Sequence, residues 1–98
     1  MNYYYNYSLL EEKLINHYKG KNLTQAIDAF GKDLHSNIYR IRDIIMNKVT
    51  CFTGNEITRA IEILGLDSKD VIKCFFNVEK GFVDKKDLLN YIKSKKQD

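Results

Sequence analysis

The chain has 98 residues, 44% apolar and 30% charged, with no proline, five glycines and a formal net charge of +3. That length supports one core without a disulfide or metal staple, and the weak basic bias admits a polyanionic partner without requiring one. No apolar run approaches the roughly 18–20 residues that cross a bilayer, and no basic leader precedes an apolar stretch, so a cytoplasmic protein without membrane contact is expected.

The opening residues are rich in tyrosine: Tyr3, Tyr4, Tyr5 and Tyr7. Such an arm could stack on a partner, but the simpler expectation has Tyr5 and Tyr7 covering the core while the rest dangles. Ser8-Leu9-Leu10-Glu11 reads as a capping box. A first helix is predicted from about Leu9 to Lys19, with Leu10 and Leu14 on its apolar face and Gly20 as its left-handed stop.

Asn22-Leu23-Thr24-Gln25 is a second capping box, followed by Leu23, Ala26, Ile27 and Phe30 at the spacing of one buried stripe. The second helix is expected to end at Gly31, and Lys32 to His35 to form a turn. Ser36 or Asn37 then caps a third helix. Ile38, Ile41 and Ile45 line its apolar side, while Ser36, Tyr39, Arg40, Asp43 and Asn47 point roughly the other way and Arg42 and Ile44 sit on the flanks.

Thr53-Gly54-Asn55-Glu56 is a third capping box, opening a fourth helix with Ile57, Ala60, Ile61 and Leu64 inward and Gly65 at its end. Asp67-Ser68-Lys69-Asp70 starts a fifth, with Val71, Ile72, Phe75 and Phe76 as its apolar residues. Lys80-Gly81-Phe82-Val83-Asp84 resembles half an EF-hand, but Phe76, Val78 and Lys80 stand where oxygen ligands are needed, so calcium is rejected. A turn at Glu79 to Gly81, with a small hairpin as one form of it, and a sixth helix from Asp84 through Leu88, Leu89 and Ile92 are predicted instead.

Cys51 and Cys74 lack a Cys-x-x-Cys partner and His17 and His35 are scattered, so both thiols are expected buried and reduced, with no metal site and no cofactor. No nucleophile–base pairing, glycine-rich phosphate loop or carboxylate cluster flanks a histidine. An enzyme with a small-molecule substrate is therefore not expected.

The informative stretch runs from Asn22 to Asn47: two short helices, the second apolar on one side and rich in hydrogen-bonding groups on the other. That is the division of labour of a helix-turn-helix that reads DNA. From Lys19 to Lys48 there are six basic residues against three acids, the only positive stretch before the lysine-rich end of the chain. For base edges the helix offers Arg40 toward guanine and Asn37 or Asn47 toward adenine, while Tyr39 suits a thymine methyl or a phosphate. Gln25, Lys32, His35, Ser36, Arg42 and Lys48 are the candidate phosphate contacts, with plain surface the alternative for His35.

On short segments in the right order, the chain resembles the small phage Cro/CI-type repressors of the XRE-like, lambda-repressor-fold class. The segments are Tyr5-Asn6-Tyr7-Ser8-Leu9-Leu10, Ala29-Phe30-Gly31, Asn47-Lys48-Val49, Phe52-Thr53-Gly54-Asn55-Glu56-Ile57, Ala60-Ile61-Glu62-Ile63-Leu64-Gly65-Leu66 and Phe75-Phe76. The resemblance covers about residues 5–77. It implies an all-α, five-helix repressor domain that binds operator DNA as a homodimer. Residues 1–78 would be that domain with its tyrosine arm, and 79–98 a turn and basic helix of the same domain.

The departures fall in the turn. The family has Gly-Leu-Ser leading into the third helix, whereas Gly31 is followed by Lys-Asp-Leu-His before Ser36. The small alanine the family keeps four residues before that glycine is Ile27 if Gly31 sets the register. If Gln25 and Ala29 set it, Asp33 stands at the glycine. A regulator that binds a host or phage protein on the same scaffold is the rival reading. The end of the chain could serve as a dimer contact, as phosphate-binding lysines or as a helix packed on the core.

Overall fold

A computed structural model describes residues 3–80 of the chain. Five helices, α1 (Ser8–His17), α2 (Leu23–Asp33), α3 (Ile38–Asn47), α4 (Gly54–Leu64) and α5 (Ser68–Phe75), are joined by short loops. Strands β1 (Tyr3–Tyr5) and β2 (Val78–Lys80) pair antiparallel, with Tyr3 opposite Lys80 and Tyr5 opposite Val78. The domain is thus mostly helical, with a small two-strand ribbon. No helix among the described residues is long and apolar enough to cross a membrane.

The ribbon corrects two expectations. Tyr3 and Tyr4 do not dangle, and Glu79 and Lys80 belong to a strand instead of a turn. Tyrosine suits a pleated edge, and the Tyr4 hydroxyl donates to Glu79 at 2.6 Å while the Asn6 amide donates to the other oxygen of the same carboxylate at 2.6 Å. The Asn6 N–H also donates to the Asn77 carbonyl at 2.7 Å, and the Tyr5 N–H to the Lys48 carbonyl at 2.8 Å, so the ribbon is stitched to the end of α3. The sixth helix expected from Asp84 lies outside the described residues.

Aromatic rings organise the core. Phe52, in the loop before α4, meets Tyr7, Phe30 and Phe75 edge-on, at centroid distances of 5.6, 6.2 and 5.3 Å. This is the arrangement that ring quadrupoles favour. Tyr7 is fully buried, and its hydroxyl donates to the Thr50 carbonyl at 2.7 Å, which satisfies the one polar atom it carries inside. Leu10, Leu14, Ile27, Ile41 and Ile45 complete the centre as expected.

Helix ends show which local signals prevailed. The boxes at Asn22/Gln25 and Thr53/Glu56 form in both directions, and Asp67 caps α5. The box at Ser8 does not form. Tyr7 stands at the cap, with its ring drawn into the core, and the Asn6 side chain accepts the Ser8 N–H instead at 2.9 Å. The first helix accordingly starts at Ser8 and stops at His17, short of Lys19. Gly65 ends α4 in the left-handed conformation, as expected.

Four burial assignments change. Ile44, a flank residue by sequence, is buried with Ile41 and Ile45. Ile72 and Phe76 are exposed, because the short α5 directs Cys74 and Phe75 inward and turns the i, i+4 pair away. Cys51 is exposed beside the inward-pointing Phe52, whereas Cys74 is buried and its thiol is pushed up to about 11, chiefly by that burial.

Candidate functional site

The site is built on α2, α3 and the start of α4. The helix α2 does not stop at Gly31 but continues to Asp33, so the turn spans residues 34–37 instead of the expected Lys32 to His35. Leu34 is buried and closes α2. The His35 N–H donates to the Lys32 carbonyl at 3.0 Å and the Ser36 N–H to the Gly31 carbonyl at 3.0 Å. Those two bonds, with His35 at φ 56°, form a Schellman motif.

Gly31 has a different task from the one its sequence position advertised. A Cβ on Gly31 would lie 3.1 Å from Ile38 Cγ2 and 3.3 Å from Ile38 Cα, so the missing side chain lets α2 approach the start of α3. Gly31 thereby serves as the small residue inside the helix, and His35, four positions later, takes the left-handed position of the turn. Neither register offered by the sequence anticipates this, because only the hydrogen bonds reveal where α2 ends.

Asn37 caps α3, its side-chain oxygen accepting from the N–H groups of Tyr39 at 2.8 Å and Arg40 at 3.3 Å. Ile41, Ile44 and Ile45 seat the helix on the core, leaving Tyr39, Arg40 and Asp43 exposed. Asn47 donates to Asp43 one turn back along the same face. Lys48, left-handed at the C-cap, reaches the Glu11 carboxylate on α1 at 3.4 Å and the Ile45 carbonyl at 3.3 Å. Gln25, Lys32 and His35 are exposed. Of the predicted contacts, Gln25, Lys32, His35, Tyr39 and Arg40 are thus exposed, Asn37 serves as the cap of α3, and Lys48 is engaged with α1.

Two carboxylates absent from the predicted site hold the two arginines. Glu56, in the first turn of α4, is nearly buried, and its carboxylate gathers three donors. It accepts from the Thr53 N–H at 2.8 Å and the Ser36 hydroxyl at 2.7 Å, and Arg40 Nη1 also binds the oxygen that holds Ser36, while the Glu56 backbone N–H donates to Thr53 Oγ1 at 3.2 Å. Burial alone would raise this carboxyl, but the bonds from Arg40, Thr53 and Ser36 outweigh it and hold it at about 2. Asp28, on α2, forms a bidentate pair with Arg42, accepting from Nε at 2.6 Å and from Nη2 at 2.5 Å. The Arg42 hydrogen bonds lower the Asp28 carboxyl against the opposing effect of burial, and the charges of Arg42 and Lys32 assist.

Sequence reading missed both acids for different reasons. Glu56 was visible only as half of a capping box, since one oxygen serves that box while the other reaches across to α3. Asp28 lies fourteen residues before Arg42, and only the packing of α2 on α3 brings the pair together. Among the described residues there is no His, Cys, Asp and Glu grouping able to hold a metal ion. Comparison with known proteins adds no relative: no family model, no curated protein and no solved structure matches the chain.

Proposed function

We propose that the protein is a sequence-specific DNA-binding repressor of the phage Cro/CI type, with α2, the turn at 34–37 and α3 as a helix-turn-helix and α3 as the recognition helix. The observation that carries this reading is the α2–α3 unit itself. A four-residue turn joins two short helices, a glycine at their crossing lets them approach, and a left-handed residue follows four positions later. The family resembled here keeps a small residue and a glycine at that same spacing. Three buried isoleucines anchor α3 while Tyr39, Arg40 and the half-exposed Arg42 remain on its outer side.

One short helix reads few base pairs, so two copies per operator are part of the proposal. Gln25, at the exposed N-terminus of α2, and Lys32 and His35, near its end, provide donors for phosphates flanking the groove.

The test is fluorescence anisotropy of a generic labelled duplex at about 50 and 200 mM salt, where release of phosphate counterions weakens binding steeply. Binding that falls sharply across that range supports the repressor reading. Absence of binding at the lower salt overturns it and favours a protein partner on the same scaffold.

A further inference from the structure

The arginine that reads bases in this reading was expected to be Arg40, with Arg42 on phosphate. The geometry points to the reverse: we propose that Arg42, buttressed by Asp28 and stacked over Tyr39, recognises guanine in the major groove, and that Arg40 is a strut. This rests on the DNA-binding reading above.

A guanidinium carries five N–H donors in a rigid planar fork. Asp28 occupies the Nε–Nη2 edge of Arg42 with two short bonds. The outer edge, formed by Nη1 and the second hydrogen of Nη2, has no hydrogen-bond partner among the described residues. Two parallel donors at that edge match the O6 and N7 acceptors of guanine. The guanidinium carbon also lies 5.5 Å from the centroid of the Tyr39 ring, which is 69% exposed. A carboxylate on one edge and a ring on one face remove most of the freedom a surface arginine would lose on binding.

Arg40 is arranged differently. Its Nη1, one of the two terminal nitrogens, binds the nearly buried Glu56. The far end of the fork is thus drawn toward the domain. Charge separates base from phosphate as the target of Arg42. The Arg42–Asp28 pair is neutral overall and places a carboxylate beside the guanidinium, which disfavours an anionic phosphate but not the uncharged acceptors of guanine.

Selection from a randomised duplex library, using the full chain as wild type, R42K, R40K and D28N, tests this. Lysine at either position keeps the charge and loses the fork. Wild type is expected to enrich a guanine at one position per half-site. R42K should lower discrimination at that position by about tenfold or more while leaving the salt dependence of binding unchanged. D28N should lower it severalfold, and R40K should leave it intact. Melts followed by circular dichroism check that each variant is folded. A guanine preference that survives R42K, one lost in R40K instead, or a wild-type site without guanine overturns the assignment while the repressor reading stands. No binding by wild type at low salt overturns both.

Discussion

Two arginines stand two residues apart on α3, and each is held by a carboxylate from a neighbouring helix. Their own exposures are alike, 42% for the Arg40 side chain and 39% for Arg42. The acids differ. The Glu56 side chain is 7% exposed and also fastens Ser36 and the cap of α4, whereas that of Asp28 is 25% exposed and, among the described residues, bonds Arg42 alone. The same pairing of residue types therefore produces two different devices. One is a buried junction between the turn, α3 and α4. The other is a surface buttress that fixes a side chain without carrying the fold.

The largest effect expected from breaking this contrast is at Glu56. Glu56→Ala leaves Ser36 and Arg40 without their shared acceptor and removes half of the α4 capping box. Because Arg40 is partly solvated, the loss is set below that of a fully buried pair, at about 2–3 kcal/mol, a large fraction of the roughly 5–15 kcal/mol of an ordinary domain. Urea unfolding at neutral pH measures it. Asp28→Asn should leave the urea midpoint essentially where it is, and equal losses at the two positions would erase the distinction.

Titration sharpens the same comparison. The Glu56 carboxyl is held at about 2, below its ordinary 4.5, so its ionised form is bound more strongly in the folded chain. The stability this contributes is complete above about pH 4.5 and is lost progressively as pH falls toward 2. Glu56→Gln has no such carboxyl, so its stability should fall less steeply than wild type between those limits. Parallel slopes for the two proteins would show that the junction is not the group being titrated.

How far the sequence disclosed this arrangement varies by the kind of signal. Five helices and the inward Leu10, Leu14, Ile27 and Ile41 were legible because periodicity and capping boxes are local patterns. The end of α2 was not legible, because Gly31 reads as a stop, yet here it lies inside the helix where Ile38 needs room. The outer face of α3 was also identified, with Tyr39 and Arg40 on it, but the acids that orient its arginines come from elements fourteen and sixteen residues away. Side-chain partnerships across helices leave no trace in a linear pattern, and neither does the pairing of Tyr3–Tyr5 with Val78–Lys80.

Gly31 offers the next test, since two effects compete there. Adding a methyl group improves helix propensity by about 1 kcal/mol. It also presses on Ile38 Cγ2 at 3.1 Å and on the Ile38 backbone at 3.3 Å. For Gly31→Ala these nearly cancel. Gly31→Val adds branching against a neighbour whose backbone has little room to move, and should destabilise by about 2 kcal/mol. If valine is tolerated without a shift in the thermal midpoint, the close crossing of α2 and α3 is not set by this glycine.

The smallest expected effect is at His35, and its sign is the informative part. At φ 56° a side chain with a Cβ is disfavoured by roughly 1–2 kcal/mol, a strain that glycine does not carry. Glycine in turn loses more chain entropy on folding, about 0.5–1 kcal/mol. The balance predicts that His35→Gly stabilises the domain by about 0.5 kcal/mol, visible as a small rise in the urea midpoint. If the imidazole donates to a phosphate, the same variant should bind duplex DNA more weakly while unfolding later. Weaker binding together with greater stability would mark a turn position held by histidine for contact at the expense of conformation, whereas unchanged binding would leave His35 as exposed surface in a place that suits glycine.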